Sequence, residues 1–214
     1  MSERDIIIGI DAGTSVIKAV AFTLTGTQLG ASAVPNRYTT APDGAATQDM
    51  DRTWADCAEA LRGLGDSIDH LADRTAALAV TAQGDGTWLV GADNRPVDDA
   101  WLWLDARAAR TTQALAQAPG NAARFHATGT ALNTCQQGAQ MAHMAATRPE
   151  LLANAAVALH CKDWLYLNLT GARATDPSEA SFTFGNFHNR AYDDGVIEAL
   201  GLHDFRHLLP EIVD

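Results

Sequence analysis

Residues 6–22 constrain this chain more than any other stretch. Ile6-Ile7-Ile8-Gly9-Ile10 and Val16-Ile17-Lys18-Ala19-Val20-Ala21-Phe22 are two apolar runs separated by the small polar turn Asp11 to Ser15, with Gly26 and Gly30 closing the region. Val, Ile and Phe favour extended backbone, and runs this short bounded by Gly and Thr read as paired strands rather than a helix. The turn holds what a phosphate site needs. Gly13 lets the backbone come close to an anion, Thr14 and Ser15 offer hydroxyls and N–H donors, and Asp11 can hold a magnesium ion through water. Lys18 lies just inside the second strand. The same residues also suit an ordinary hairpin whose Asp and Thr only build the turn, and the hairpin alone does not choose between the two.

At 214 residues the chain suits one large domain, and 47% hydrophobic residues supply a core and exclude disorder. No apolar run approaches the ~20 residues that span a bilayer, so no membrane role is expected. The start, Ser2-Glu3-Arg4-Asp5, reads as lacking a secretory signal. A formal charge of −11 argues against a nucleic-acid-binding surface, which needs a basic patch. Cys57, Cys135 and Cys161 are far apart and odd in number, which suggests neither a disulfide framework nor a zinc knuckle and makes the cytoplasm the expected compartment. His203 and His207 have metal-ligand spacing but no third ligand nearby, so a solvated helix face is the expected reading. Lysine is confined to Lys18 and Lys162 in a chain of fifteen basic residues.

In chain order, Gln28 to Val34 reads as a third antiparallel strand, followed by a loop from Pro35 to Gln48. Asp49 or Asp51 can cap a helix from about Arg52 to Ala72, with Trp54, Ala58, Leu61, Ile68 and Leu71 on one face and Gly63 and Gly65 weakening its middle. Ala76 to Thr81 reads as a buried, parallel-type strand, and crossover handedness places it beside the first. Ligands gather at the carboxyl ends of strands in open α/β sheets, so the Asp11 turn and the loop Gln83-Gly84-Asp85-Gly86 are expected side by side. Thr87 to Val90 and Ala100 to Leu104 read as strands, and alternation sends Trp101 and Trp103 to one face. Asp105 is either a helix N-cap for Ala106 onward or a substrate contact. Residues 106–155 look helical, broken at Pro119-Gly120, Thr128-Gly129-Thr130 and Pro149, with Met141 and Met144 as core. A strand over Ala156 to His160 leads into a helix from Cys161 that Gly171 stops, Asp176 reads as a turn or cap, and short helices follow near Gly195–Leu200 and Phe205–Leu209.

The turn Asp11-Ala12-Gly13-Thr14-Ser15 with Lys18 resembles the first phosphate motif of the FGGY carbohydrate kinases, members of the larger group of sugar kinases, actin and Hsp70 chaperones. Three later stretches carry the narrower resemblance. Gln83 and Asp85 match a substrate-binding pair, Trp101-Leu102-Trp103-Leu104-Asp105-Ala106-Arg107 is similar to the tryptophan-rich segment, and Lys162-Asp163, Leu169-Thr170-Gly171, Thr175-Asp176 and Ala180-Ser181 repeat a family series in order and spacing. Gly84 departs from members with a long side chain there, and this chain lacks the aromatic and the Lys that several members place near Cys135 and Gln140.

The resemblance implies an α/β, ribonuclease H-like domain with a mixed five-stranded sheet and helices on both faces. It implies transfer of the ATP γ-phosphoryl, with Mg2+, to a sugar or polyol hydroxyl. On that pattern Asp11 organises magnesium, Gly13, Thr14 and Ser15 cradle the phosphoryl, Lys18 neutralises charge, and Gln83, Asp85, Trp103 and Asp105 serve the acceptor. The loop and tryptophan pair most resemble the branch acting on erythritol, with xylulose, ribulose and glycerol as alternatives. A sugar-binding module that kept the fold without catalysis is the non-enzyme alternative. Roles for Lys162, Asp163 and Asp176 stay open. The family's general-base Asp lies in a Gly-Asp-Gln-type segment that does not occur after Asp176. Residues 1–214 are therefore expected to form an N-terminal, substrate-binding domain that is inactive alone and lacks the nucleotide domain; a homodimer of the full protein is allowed.

Overall fold

The computed structural model describes residues 4–213, so Ser2, Glu3 and Asp214 lie outside the described residues. The elements run β1 (Ile6–Ala12), β2 (Val16–Thr23), β3 (Gln28–Pro35), β4 (Thr39–Thr40), β5 (Ala46–Gln48), α1 (Met50–Gly65), α2 (Leu71–Arg74), β6 (Thr75–Ala82), β7 (Trp88–Val90) and β8 (Ala100–Trp101). There follow α3 (Ala109–Gln117), α4 (Asn121–Thr128), α5 (Gln137–Thr147), α6 (Pro149–Asn154), β9 (Val157–Leu159), α7 (Cys161–Thr170), β10 (Ala174–Thr175) and α8 (Pro177–Thr183). β11 (Gly185–Asn186), β12 (Ala191–Tyr192), α9 (Asp194–Ala199), a 3-10 helix (His203–Leu208) and β13 (Glu211–Ile212) complete the order. They divide into two compact units, Met1–Tyr38 with Met50–Gln83 and Thr39–Asp49 with Gly84–Asp214.

The first unit is built on a mixed sheet of order β3-β2-β1-β6, in which β1 pairs antiparallel with β2 and parallel with β6. This is the expected start of three strands, helix, strand, with the crossover strand beside the first. The sheet has four strands where five were expected, because the remaining extended segments pair among themselves in the second unit. β6 is parallel as expected but not buried: it is the sheet's edge, with one neighbour rather than two, and Ala76 to Ala79 are exposed. α1 packs on β2 and β3. It starts at Met50, so Asp51 falls in its first turn, and Gly65 ends it rather than interrupting it. Its buried positions are Met50, Thr53, Asp56, Cys57, Ala60 and Leu64, a stripe at helical spacing in which Asp56 accepts from Arg52 (2.7 Å), while Trp54, Ala58 and Leu61 flank it half-buried. His70, with φ 56°, separates α1 from α2.

In the second unit the helical breaks fall where Pro and Gly place them. α3 ends before Pro119, Gly129 (φ 68°) closes α4, and Pro149 opens α6, where a missing N–H costs nothing. Met141 and Met144 are buried in a core with Leu89, Leu152, Val196 and Leu200. β7 and β9 form an antiparallel ladder, and β4 and β5, which lie inside the expected loop, make a small sheet with β8.

Candidate functional site

In the first unit, the register places Lys18 and Thr81 opposite Asp11 on the flanking strands, so carboxylate, ammonium and hydroxyl form an exposed row at the end of the sheet. Asn36 ties down the turn beside them. Its Nδ2 donates to Gly13 O (2.9 Å) and its backbone N–H to Ser15 O (3.0 Å). A Cβ on Gly13 would lie 3.1 Å from Val16 O, so a side chain there would crowd the turn. Gln83 joins this group as expected: Thr14 Oγ1 donates to Gln83 Oε1 (3.1 Å), and Gln83 N–H donates to Ala12 O (2.9 Å). The donor set for a metal is oxygen only, and no cluster of three or more metal-ligating side chains occurs among the described residues. A single exposed carboxylate suits magnesium, which keeps most of its waters and takes one or two carboxylates.

In the second unit, Gly84, Asp85, Ser178, Glu179 and Phe182 line an open cavity of ≈ 250 Å³. Asp85 adopts φ 56°, in the left-handed region that few residues other than Gly enter and that Asp and Asn enter more readily than most. Gly86 follows at φ 80°, where a Cβ would meet Trp101 O at 2.5 Å, so the turn requires glycine there. Cys135 donates its thiol to Asp85 Oδ2 (3.1 Å), leaving the buried Oδ1 without a partner. Burial, and then the Asp85 carboxylate, push the Cys135 thiol up to about 12.

Beneath Glu179 lies a buried ionic network. His160 contacts Asp163 Oδ2 through Nδ1 (3.3 Å) and Glu179 Oε2 through Nε2 (3.6 Å), while Lys162 Nζ reaches Asp163 (3.0 Å), Asp176 (2.8 Å) and Glu179 (3.9 Å). Burial alone would lower the His160 imidazole, but Glu179 and then Asp163 more than offset it, and its pKa is raised. Burial likewise opposes the charge on Lys162, which Asp163, Asp176 and Glu179 raise instead. Asp163 is held below the usual carboxylate range by His160 and Lys162 against its own burial. Asp176 also caps α8, accepting from Ser178 N and Glu179 N.

The tryptophan-rich segment departs from the sequence reading. β8 ends at Trp101, so alternation does not extend to Trp103: Trp101 is 3% exposed and Trp103 44%. Asp105 neither caps a helix, since α3 begins at Ala109, nor is accessible to a substrate. Its fully buried carboxylate accepts from Ala46 N–H (2.9 Å) and from the Arg107 guanidinium (2.6 Å), which stacks 3.4 Å from the centre of the Trp101 ring. His203 and His207 are exposed on the 3-10 helix, whose three-residue turn separates positions four apart. Sequence reasoning missed Asn36, Cys135 and Glu179. The signal for Glu179 is its place three residues after the Asp176 cap, one turn from the Lys162 partner; Cys135 offers none.

A model of the FGGY family of carbohydrate kinases, N-terminal domain, matches residues 6–214. The chain is 71% identical over 210 residues to the erythritol kinase of Brucella abortus (strain 2308), covering 98% of this chain and 40% of that protein. It is 24% identical to the L-xylulose/3-keto-L-gulonate kinase of Escherichia coli (strain K12), covering 96% and 42%. The xylulose kinase structure from Rhodospirillum rubrum superposes with a TM-score of 0.89 at 18% identity, over 97% of this chain and 42% of that one. Plasmodium falciparum glycerol kinase with ADP gives 0.81 at 21%, over 99% and 44%. These two share the fold. The chain thus spans about 40% of the length of the curated relatives it matches. No helix among the described residues is long and apolar enough to cross a membrane.

Proposed function

The chain belongs to the FGGY family of carbohydrate kinases as its N-terminal domain, and from that premise we propose that, within a longer protein, it supports magnesium-dependent transfer of the ATP γ-phosphoryl to a hydroxyl of a small polyol, erythritol first. The observation that carries the acceptor assignment is the ≈ 250 Å³ cavity lined by Asp85, whose buried Oδ1 has no hydrogen-bond partner. A carboxylate oxygen accepts hydroxyl hydrogens, and a cavity this size suits a ligand smaller than drug-sized molecules. The 71% identity to a protein named erythritol kinase supports erythritol over a ketose or glycerol.

Phosphoryl transfer is mostly positioning plus charge neutralisation. Asp11 would hold magnesium through water; when bound, the ion supplies charge neutralisation at the phosphoryl oxygens. Gly13, Thr14 and Ser15 offer N–H and hydroxyl donors to the phosphoryl, and Lys18 adds a positive charge on the paired strand. Asp85, which lines the cavity, orients the acceptor; the family resemblance assigns Gln83 and Trp103 to the acceptor as well. The general base and the adenine-binding part belong to the remainder of the longer protein. Free thiols at Cys57, Cys135 and Cys161 support a reducing compartment, the cytoplasm. A coupled ADP assay of the full-length protein against erythritol, xylulose, ribulose and glycerol tests this. Erythritol should give the highest kcat/KM; a ketose preferred with erythritol inert would overturn the substrate assignment.

A further inference from the structure

Asp85 is held from two directions by one residue. Cys135 donates its thiol to Asp85 Oδ2 (3.1 Å), and its carbonyl accepts the N–H of Gly86 (2.9 Å). The two bonds bracket the only consecutive pair of positive φ values among the described residues, 56° at Asp85 and 80° at Gly86. A left-handed aspartate is sparsely populated and persists where its surroundings determine it. Cys135 is itself anchored. Gln136, next in the chain, is buried and accepts the Asn133 N–H through Oε1 (3.0 Å). Gln137 Nε2 donates to Leu159 O (2.7 Å), and Gln140 bridges Thr87 and Leu102. The clamp therefore extends from a fixed helix start to a strained loop, and it occupies one carboxylate oxygen while the other has no partner.

We propose that Cys135 is a positioning residue for acceptor binding: its thiol engages Asp85 Oδ2 and its carbonyl fixes the Gly86 turn, which sets the Asp85 carboxylate at the cavity with its buried Oδ1 left to pair with a hydroxyl of the polyol. This rests on the acceptor role given to Asp85 above. A thiol suits the task because it stays a protonated donor: burial and the neighbouring carboxylate keep it from ionising near neutral pH. A hydroxyl can replace it as donor, and a methyl group cannot.

Two readouts on the full-length protein test this. In the first, Cys135 alkylation by iodoacetamide is followed by peptide mass spectrometry in the wild type and in Asp85→Asn, which keeps the side chain's size and tolerates the left-handed backbone. Removing the carboxylate charge should speed alkylation of Cys135 about ten-fold; equal rates overturn the coupling whether or not the protein has kinase activity. In the second, Cys135→Ala should raise the KM for erythritol about ten-fold, with kcat and the KM for ATP within about two-fold, and Cys135→Ser should recover most of the loss. An unchanged KM in Cys135→Ala overturns the positioning role, as does Cys135→Ser being as impaired as Cys135→Ala. If no polyol is turned over while the alkylation difference persists, the acceptor reading fails and the positioning role fails with it, although the contact stands.

Discussion

Asp105 Oδ2 accepts from Ala46 N–H and from the Arg107 guanidinium, and Oδ1 accepts the Arg107 N–H (3.0 Å). Nothing of that buried carboxylate remains for a ligand, whereas Asp85 keeps one oxygen unpartnered beside a cavity. Both acids look alike in the sequence, since each lies near a short strand and a turn. Only the position of Arg107 over the Trp101 ring separates a carboxylate whose oxygens are both paired from one that keeps an oxygen unpaired. Removing Asp105 would leave a mostly buried guanidinium and the backbone N–H groups of Ala46 and Arg107 without their acceptor. Asp105→Ala should therefore lower stability by about 3 kcal/mol, within the usual cost of breaking a buried pair. Urea unfolding measures this, and a loss under about 1 kcal/mol would contradict the organising role.

α7 and α8 are the elements most readable in sequence. Lys162-Asp163, Thr170-Gly171 and Asp176-Pro177 each carry a local signal: a charge pair, a helix stop at φ 80° and an N-cap before proline. What those signals do not convey is that the two helix starts meet. His160, Lys162, Asp163, Asp176 and Glu179 form one network only because the turn through β10 brings α8 back to the start of α7. The same limit explains α1, whose helical character is legible while its buried face is set by the sheet beneath it, and β6, whose apolar run does not reveal that it is an edge.

The network has a pH signature. His160 binds its proton more tightly folded than unfolded, so it stabilises the fold fully below its unfolded value of about 6.5. That contribution is lost as pH rises through the raised folded value. Asp163 acts in the opposite sense: its contribution is present above about 3.8 and lost as pH falls through the lowered folded value. From about pH 6.5 upward, the stability difference between the wild type and His160→Gln, from urea titrations, should therefore shrink as pH rises; His143, lowered by burial and then by Arg107, acts in the opposite sense but equally in both proteins. A difference that stays constant or grows with rising pH would contradict the assignment.

At the scale of the whole molecule, the chain contributes two compact units with separate chemical inventories. The first carries Asp11, Lys18 and the Gly13-Thr14-Ser15 turn; the second carries the Asp85 cavity and the ionic network. The first was legible because its motif is contiguous and its strands are local. The second draws on residues from Gly84 to Phe182, and distant contacts of this kind leave no short pattern in a sequence. Division of labour between the units gives distinct mutant signatures. Asp85→Ala should raise the acceptor KM by roughly ten- to a hundred-fold, the loss of a charged hydrogen-bond partner worth about 1.5–3 kcal/mol, with ATP binding little changed.

Asp11 is proposed to control the passage of a phosphoryl group from ATP to a polyol. This role is tested most directly by incubating the full-length protein and its Asp11→Asn variant with γ-32P-labelled ATP and erythritol, and separating the labelled products. Label should appear in erythritol phosphate with the wild type and fall by at least about a hundred-fold in Asp11→Asn, at nearly unchanged acceptor affinity. Label released only as inorganic phosphate, or transfer undiminished in Asp11→Asn, would contradict it.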